Sequence, residues 1–212
     1  VYGLKIEEFV EKYGEPYSAK LGIDLTSGRD EEIVKWFLAS MLYAKPIRES
    51  SATDTYLTFK AHNLLDVDAI LDAGWDKLVT VLDEGGYVRY DFSTATKILN
   101  VFGELKKRYG GSLWKLYESS KDSRDLEHRL KALGKGVGDT TVSIFLREMR
   151  SIWKKADPKP TPIVKLAMGC LKIKDLKAFA EKRGLDLVRL ETALLRLGKD
   201  YLKKGKRLSV EI

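Results

Sequence analysis

Apolar residues in this chain recur at intervals of three and four, and nowhere alternate with the period of two that a half-buried strand requires. That property points to an all-α fold. In "DEEIVKWFLASMLY", Ile33, Trp36, Phe37, Ser40 and Met41 share one helix face, and acids fill the first turn, where the helix dipole favours them. Pro46 stops this helix and pushes Lys45 out of the helical region. A second helix is expected from about Ser50 to Ala61. Two short helices, "DVDAILDAG" and "GWDKLVTVLDEGG", follow and end on glycines. Ser93 is the expected N-cap of the next, whose apolar stripe is Ile98, Phe102 and Leu105. "SLWKLYESS", "SRDLEHRLKAL" and "DTTVSIFLREMRSIWKK" continue the series, and a proline-rich loop, "ADPKPTP", leads to three closing helices. The expected total is about ten helices.

Composition narrows the function classes. No apolar run approaches the ~20 residues of a membrane span, and the first residues read as a short helix and not a signal peptide. One cysteine, Cys170, excludes an internal disulfide framework and any cysteine-rich zinc or iron–sulfur site, so no metal or other cofactor is expected. These features imply a reducing, cytoplasmic setting, and abundant Lys, Glu and Arg fit a thermophile source. The net charge of +7 favours a polyanionic partner, with "KDYLKKGKRL" a local excess.

The segment "LGKGVGDTTVSIFL" holds too much glycine for a helix interior and too much apolar periodicity for a plain loop. It reads as the turn and second helix of a helix–hairpin–helix. Gly134 is the natural C-cap, and Gly136 and Gly138 allow positive φ. The amides around Gly136, Val137 and Gly138 lack intrahelical acceptors and lie at the positive end of a helix dipole, which makes a site for a phosphate. Lys135 supplies charge, Thr140 and Thr141 supply hydroxyls, and Val137 packs under the turn. Such a grip holds backbone and not sequence. The bland alternative is a tight helical connection with glycine caps and no ligand.

These residues resemble the hairpin of the helix–hairpin–helix/Gly-Pro-Asp DNA glycosylase superfamily, the endonuclease III and 8-oxoguanine glycosylase relatives. "EEIVKWFLASMLYAKPIRESSATDTYLTF" is similar to its early helix pair, "LVTVLDEGGYVRYDFSTATKILNVFGELKKRYGGSL" to its middle segment, and "ADPKPTPIVKLAM" to its Gly/Pro-rich loop. The resemblance implies a two-lobed protein with a cleft between lobes, residues 1–29 and 139–212 forming one and 30–138 the other. It implies duplex DNA as partner, a flipped nucleotide, and base removal followed by strand cleavage; a monomer associated with the nucleoid is the simplest expectation. Three positions depart from the family pattern. Thr140 stands where the bifunctional enzymes carry their Schiff-base lysine, Pro160 stands where the catalytic aspartate belongs, and Cys170 alone cannot hold the iron–sulfur cluster of several relatives.

β-Elimination at an abasic site needs only a neutral amine and a base, and a lysine becomes neutral when desolvated or set near other cations. Lys45 is the preferred amine, because Pro46 fixes it at the end of an apolar helix. Arg48 beside it would favour the neutral form and could contact a phosphate. The alternative for Lys45 is an ordinary helix-end lysine. Asp157 is the nearest aspartate to the family position; it serves either as general base or as part of an Asp-Pro turn capping the following helix. "YVRYDF" supplies aromatics, Tyr87, Tyr90 and Phe92, that stack on bases or seal the seam between the expected lobes. His62 and His128 are isolated. The expected function is a DNA repair protein acting as an abasic-site lyase, with or without glycosylase activity. The alternatives are a duplex-binding protein that has lost the chemistry, and a helical adaptor that binds no nucleic acid.

Overall fold

The computed structural model describes residues 3–212, and its regular structure is almost entirely helical. Twelve α-helices follow in order: α1 (Ile6–Tyr13), α2 (Tyr17–Lys20), α3 (Asp30–Tyr43), α4 (Glu49–Ala61), α5 (Val67–Gly85), α6 (Asp91–Tyr109), α7 (Leu113–Ser119), α8 (Ser123–Lys131), α9 (Asp139–Met149), α10 (Pro162–Cys170), α11 (Leu176–Arg183) and α12 (Leu187–Arg196). The fold is all-α. The strands among the described residues are a two-residue parallel pair, Leu4 with Val210 and Lys5 with Glu211. No helix among the described residues is long and apolar enough to cross a membrane.

Local chemistry sets the helix ends. Asp66, Ser112, Asp122, Thr161, Asp175 and Asp186 each accept a backbone N–H of the helix that follows, so six of the exposed N-termini are capped by a side chain. α5 breaks at Gly74, whose φ of +79° and ψ of 174° only glycine adopts readily, so the two short helices expected here meet end to end. Ser93 does not cap α6. The helix starts two residues earlier at Asp91, and the Ser93 hydroxyl donates to the Tyr90 carbonyl.

The chain divides into two compact units, one of residues 1–20 with 159–212 and one of residues 21–158. The expected boundaries at 29/30 and 138/139 are therefore displaced. α9 belongs with α3 because Phe145 meets Phe37 edge to face at 5.2 Å and the Phe145 carbonyl accepts the Trp36 indole N–H at 3.1 Å.

In the larger unit α3 is the central element. Ile33, Trp36, Phe37, Leu38, Ala39 and Leu42 are fully buried, each large side chain stabilising by about 1.5–3 kcal/mol. Asp30 ties α3 to α7, where its carboxylate accepts the Leu113 and Trp114 amides at 3.0 and 3.1 Å and the Ser112 hydroxyl at 2.6 Å. In the smaller unit, Ile6, Phe9 and Val10 of α1 share a core with Val164 and Ala167 of α10 and Leu190, Ala193 and Leu194 of α12.

Candidate functional site

α8 and α9 are joined by the seven residues Ala132–Gly138. The turn is closed from within. Gly134 donates to Lys131 O at 3.3 Å, and Val137 donates to Gly134 O at 3.0 Å. Val137 is 3% exposed and packs beneath the turn, so neither its side chain nor its amide faces outward. Beyond it the surface opens. Gly138, Asp139 and Thr140 are exposed, and their amides donate to no acceptor among the described residues. Lys135 is exposed beside them.

The glycines act differently from the sequence expectation. Ala132, not Gly134, occupies the C-cap of α8; Gly134 lies two residues on with φ +155°. Gly136 and Gly138 do not have positive φ; Gly138 is extended at −100° and −170°. Gly136 is needed for space, because a Cβ on it would stand 2.9 Å from both Lys97 Cβ and Met41 Cε. At Gly138 a Cβ would meet nothing within 4 Å, which leaves the region before the α9 amides open. Thr141 is also reassigned. It is 3% exposed and its hydroxyl donates to Gly136 O at 3.5 Å, so it braces the turn from inside. Thr140 keeps a hydroxyl at the surface. Asp139 places a carboxylate at the same helix start, where Lys131 forms a salt bridge with it.

Lys45 lies two residues past the end of α3 and is half-buried. Burial first, and then the neighbouring Lys97 amine, lower the Lys45 ammonium from its ordinary 10.5 to about 8. The Tyr90 ring centroid is 6.0 Å from Lys45 Nζ, and the Arg89 guanidinium is 5.7 Å from the same ring. The cation beside Lys45 is therefore Lys97, where Arg48 was expected. Arg48 is exposed and precedes α4, where its carbonyl accepts the Ser51 and Ala52 amides. Lys97 was missed in the sequence because it sits on α6 among polar positions flanking the Ile98 stripe, like any solvated helix lysine.

Asp157 is exposed and acts on Arg150, not on Lys45. Burial lowers the Arg150 guanidinium to about 10 against the opposing pull of Asp157, and its Nη2 donates to Pro158 O at 2.5 Å. Asp157 does not cap the following helix either; Thr161 does.

The aromatic segment divides in two. Tyr87 is buried and its hydroxyl donates to Leu42 O at 2.5 Å, which makes it a core residue; burial pushes its phenol pKa up. Phe92 is 61% exposed and lies 5.3 Å from the exposed ring of Trp75, whose indole N–H donates to Thr96 at 3.0 Å. His62 is engaged by Glu84 at 2.8 Å and Lys77 at 3.3 Å.

No protein-family model matches this chain, and no curated protein matches it.

Proposed function

We propose that this chain binds duplex DNA through the glycine turn and cleaves the strand at abasic nucleotides with Lys45 as the amine. The neutral amine attacks C1′ of the ring-opened sugar and water leaves, which gives an iminium. Loss of the C2′ proton to a base then breaks the C3′–O bond, and the 3′ phosphate departs with the electron pair. Hydrolysis of the iminium returns the lysine. The observation that carries this reading is the half-buried Lys45 amine two residues past α3, 6.0 Å from the Tyr90 ring, where burial lowers its ammonium to about 8 and so raises the share present as a neutral nucleophile. It is supported by the unpartnered, exposed amides from Gly138 to Thr140 at the positive end of α9, where a phosphate oxygen would be accepted. The resemblance to the glycosylase superfamily supplies the substrate class.

Borohydride reduction on a duplex carrying one abasic site tests it. The expected result is a covalent protein–DNA adduct that disappears in Lys45→Ala. No adduct with the unmodified protein, at concentrations where the duplex is bound, overturns the lyase reading.

A second reading, duplex binding without chemistry, draws on Thr140 at the family's lysine position and on Asp157 facing Arg150. It predicts binding that weakens steeply with salt and no adduct at any pH.

A further inference from the structure

We propose that the turn at residues 203–207, in the smaller unit, is a second nucleic-acid contact, which grips the phosphate backbone of a duplex. The inference rests on the duplex-binding reading for its partner and is independent of the lyase chemistry.

Four of the five residues are cations, Lys203, Lys204, Lys206 and Arg207, and all four are exposed. None of them forms an ion pair among the described residues, and neither do the nearest carboxylates in sequence, Asp200 and Glu211. A helix-end preference accounts for only part of the cluster. Lys203 and Lys204 lie in the closing turn Leu202–Lys204, where the dipole favours cations. Lys206 and Arg207 lie beyond Gly205, outside any helix. Like charges this close repel one another, and no acid of the chain is set against them; an anion from outside would relieve the repulsion.

The backbone that carries these cations is fixed. A π-helical turn, Leu197–Tyr201, follows α12 and passes into the tight turn Leu202–Lys204. Gly205 stands in the left-handed region at φ +69° and donates to Leu202 O at 3.1 Å, and Lys206 donates to Tyr201 O at 2.8 Å. On one side Tyr201 meets Tyr13 of α1, with the hydroxyls 3.2 Å apart and the rings edge to face at 6.0 Å. On the other, Ser209 O accepts the Leu4 amide at 2.9 Å and Val210 pairs with Leu4. A turn anchored at both ends has little backbone freedom left to lose when a strand arrives.

The apolar residues of the segment point to the kind of partner. Tyr201, Leu202, Leu208 and Val210 pack against the core of the smaller unit. Residues 203–207 therefore offer a lipid surface no apolar side chain to insert, which an interfacial membrane segment requires. What they offer is charge: three lysines as point charges and one arginine fork that takes two phosphate oxygens at once. That suits a duplex, which carries one negative charge per ~1.7 Å of its axis, and it reads no sequence.

The test is the salt dependence of duplex affinity, read by fluorescence anisotropy on the full chain. With Lys203→Gln, Lys204→Gln, Lys206→Gln and Arg207→Gln together, the slope of log affinity against log salt should shrink by about two to four, and affinity in low salt should fall at least ~tenfold. A control with Lys20→Gln, Lys165→Gln, Lys174→Gln and Lys182→Gln removes the same net charge from exposed positions of the same unit. Its slope should change by less than about one. Lys203→Arg, Lys204→Arg and Lys206→Arg together should keep the unmodified slope. A slope loss confined to the first variant supports the inference whether or not borohydride traps an adduct. An unchanged slope in that variant, or an equal loss in the control, overturns it while binding through the α8–α9 turn stands. A melting midpoint lowered in the first variant alone would show a structural role and overturns it too. Vesicles of equal phosphatidylcholine and phosphatidylserine are the lipid arm: vesicle binding that needs the four cations, with an unchanged duplex slope, assigns the turn to a membrane instead. An unmodified protein that binds no duplex overturns this inference and the duplex-binding reading together.

Discussion

A methyl group placed on Gly136 would come within 2.9 Å of Lys97 Cβ, so the α8–α9 turn and α6 touch with no room between them. Met41 Cε closes the same spot from α3, also at 2.9 Å. The three approach together from distant parts of the sequence, and Lys45 follows four residues behind Met41.

Gly136→Ala is therefore expected to destabilise the protein by about 1–3 kcal/mol, the usual cost of overpacking. Gly138→Ala faces open space in an ordinary extended conformation and is expected to stay within about 0.5 kcal/mol of the parent. Urea unfolding separates the two. If the exposed amides hold a phosphate, Gly138→Ala lowers duplex affinity without loss of stability. Equal stability losses in both variants would contradict the geometry.

Thr141 and Lys135 are predicted to part company. Thr141→Val removes a buried hydroxyl that braces the turn and should cost about 0.5–1.5 kcal/mol of stability, leaving the salt dependence of DNA binding alone. Lys135→Ala should leave stability alone and reduce the slope of log affinity against log salt by about one. Fluorescence anisotropy with a labelled duplex across a salt series reads both.

Lys45 carries a stability signature of its own. Its pKa is lower in the fold than its ordinary 10.5, so the unfolded chain holds that proton more tightly. The charge is thus destabilising below pH 8, and this effect fades as pH rises from about 8 to 10.5. Lys45→Met is expected to raise Tm at pH 7 by about 1–3 °C, with the gain shrinking toward pH 10. Calorimetry at both pH values checks this; a gain that grows with pH would contradict it.

Asp30→Ala should unfasten α7. The carboxylate serves two amides and a hydroxyl at the start of that helix, and Trp114 anchors there by donating to Gly28 O at 2.5 Å. The expected loss is about 1–3 kcal/mol. Hydrogen exchange should show it first at the amides of Leu113 and Trp114, and protection left intact there would show that the cap is dispensable.

Much of this fold was legible because helix periodicity and end signals are local. The stop of α3 before Pro46 and the break at Gly74 both follow from backbone preferences of one or two residues. The site was only half legible. Lys45 could be singled out by its helix-end place beside proline, but the group that tunes it could not. Lys97 is set by tertiary approach, and Arg48 was favoured only because it is adjacent in sequence. Gly136 shows the same limit: three glycines in five residues announce a special turn, yet whether each serves φ, space or access depends on what packs against it. Thr141 was assigned an outward role because the start of α9 has no periodicity long enough to fix which side faces in.

The division of the chain has a consequence for its synthesis. Residues 21–158 form one continuous unit whose core is complete once they have left the ribosome. The core of Ile6, Phe9 and Val10 must wait, because the partners of those side chains on α10 and α12 are translated more than 150 residues later. Until then α1 is an amphipathic segment without a core, and chaperones that recognise exposed apolar helices have their longest opportunity there. Emergence of α12, and not of α1, sets the moment at which that unit closes.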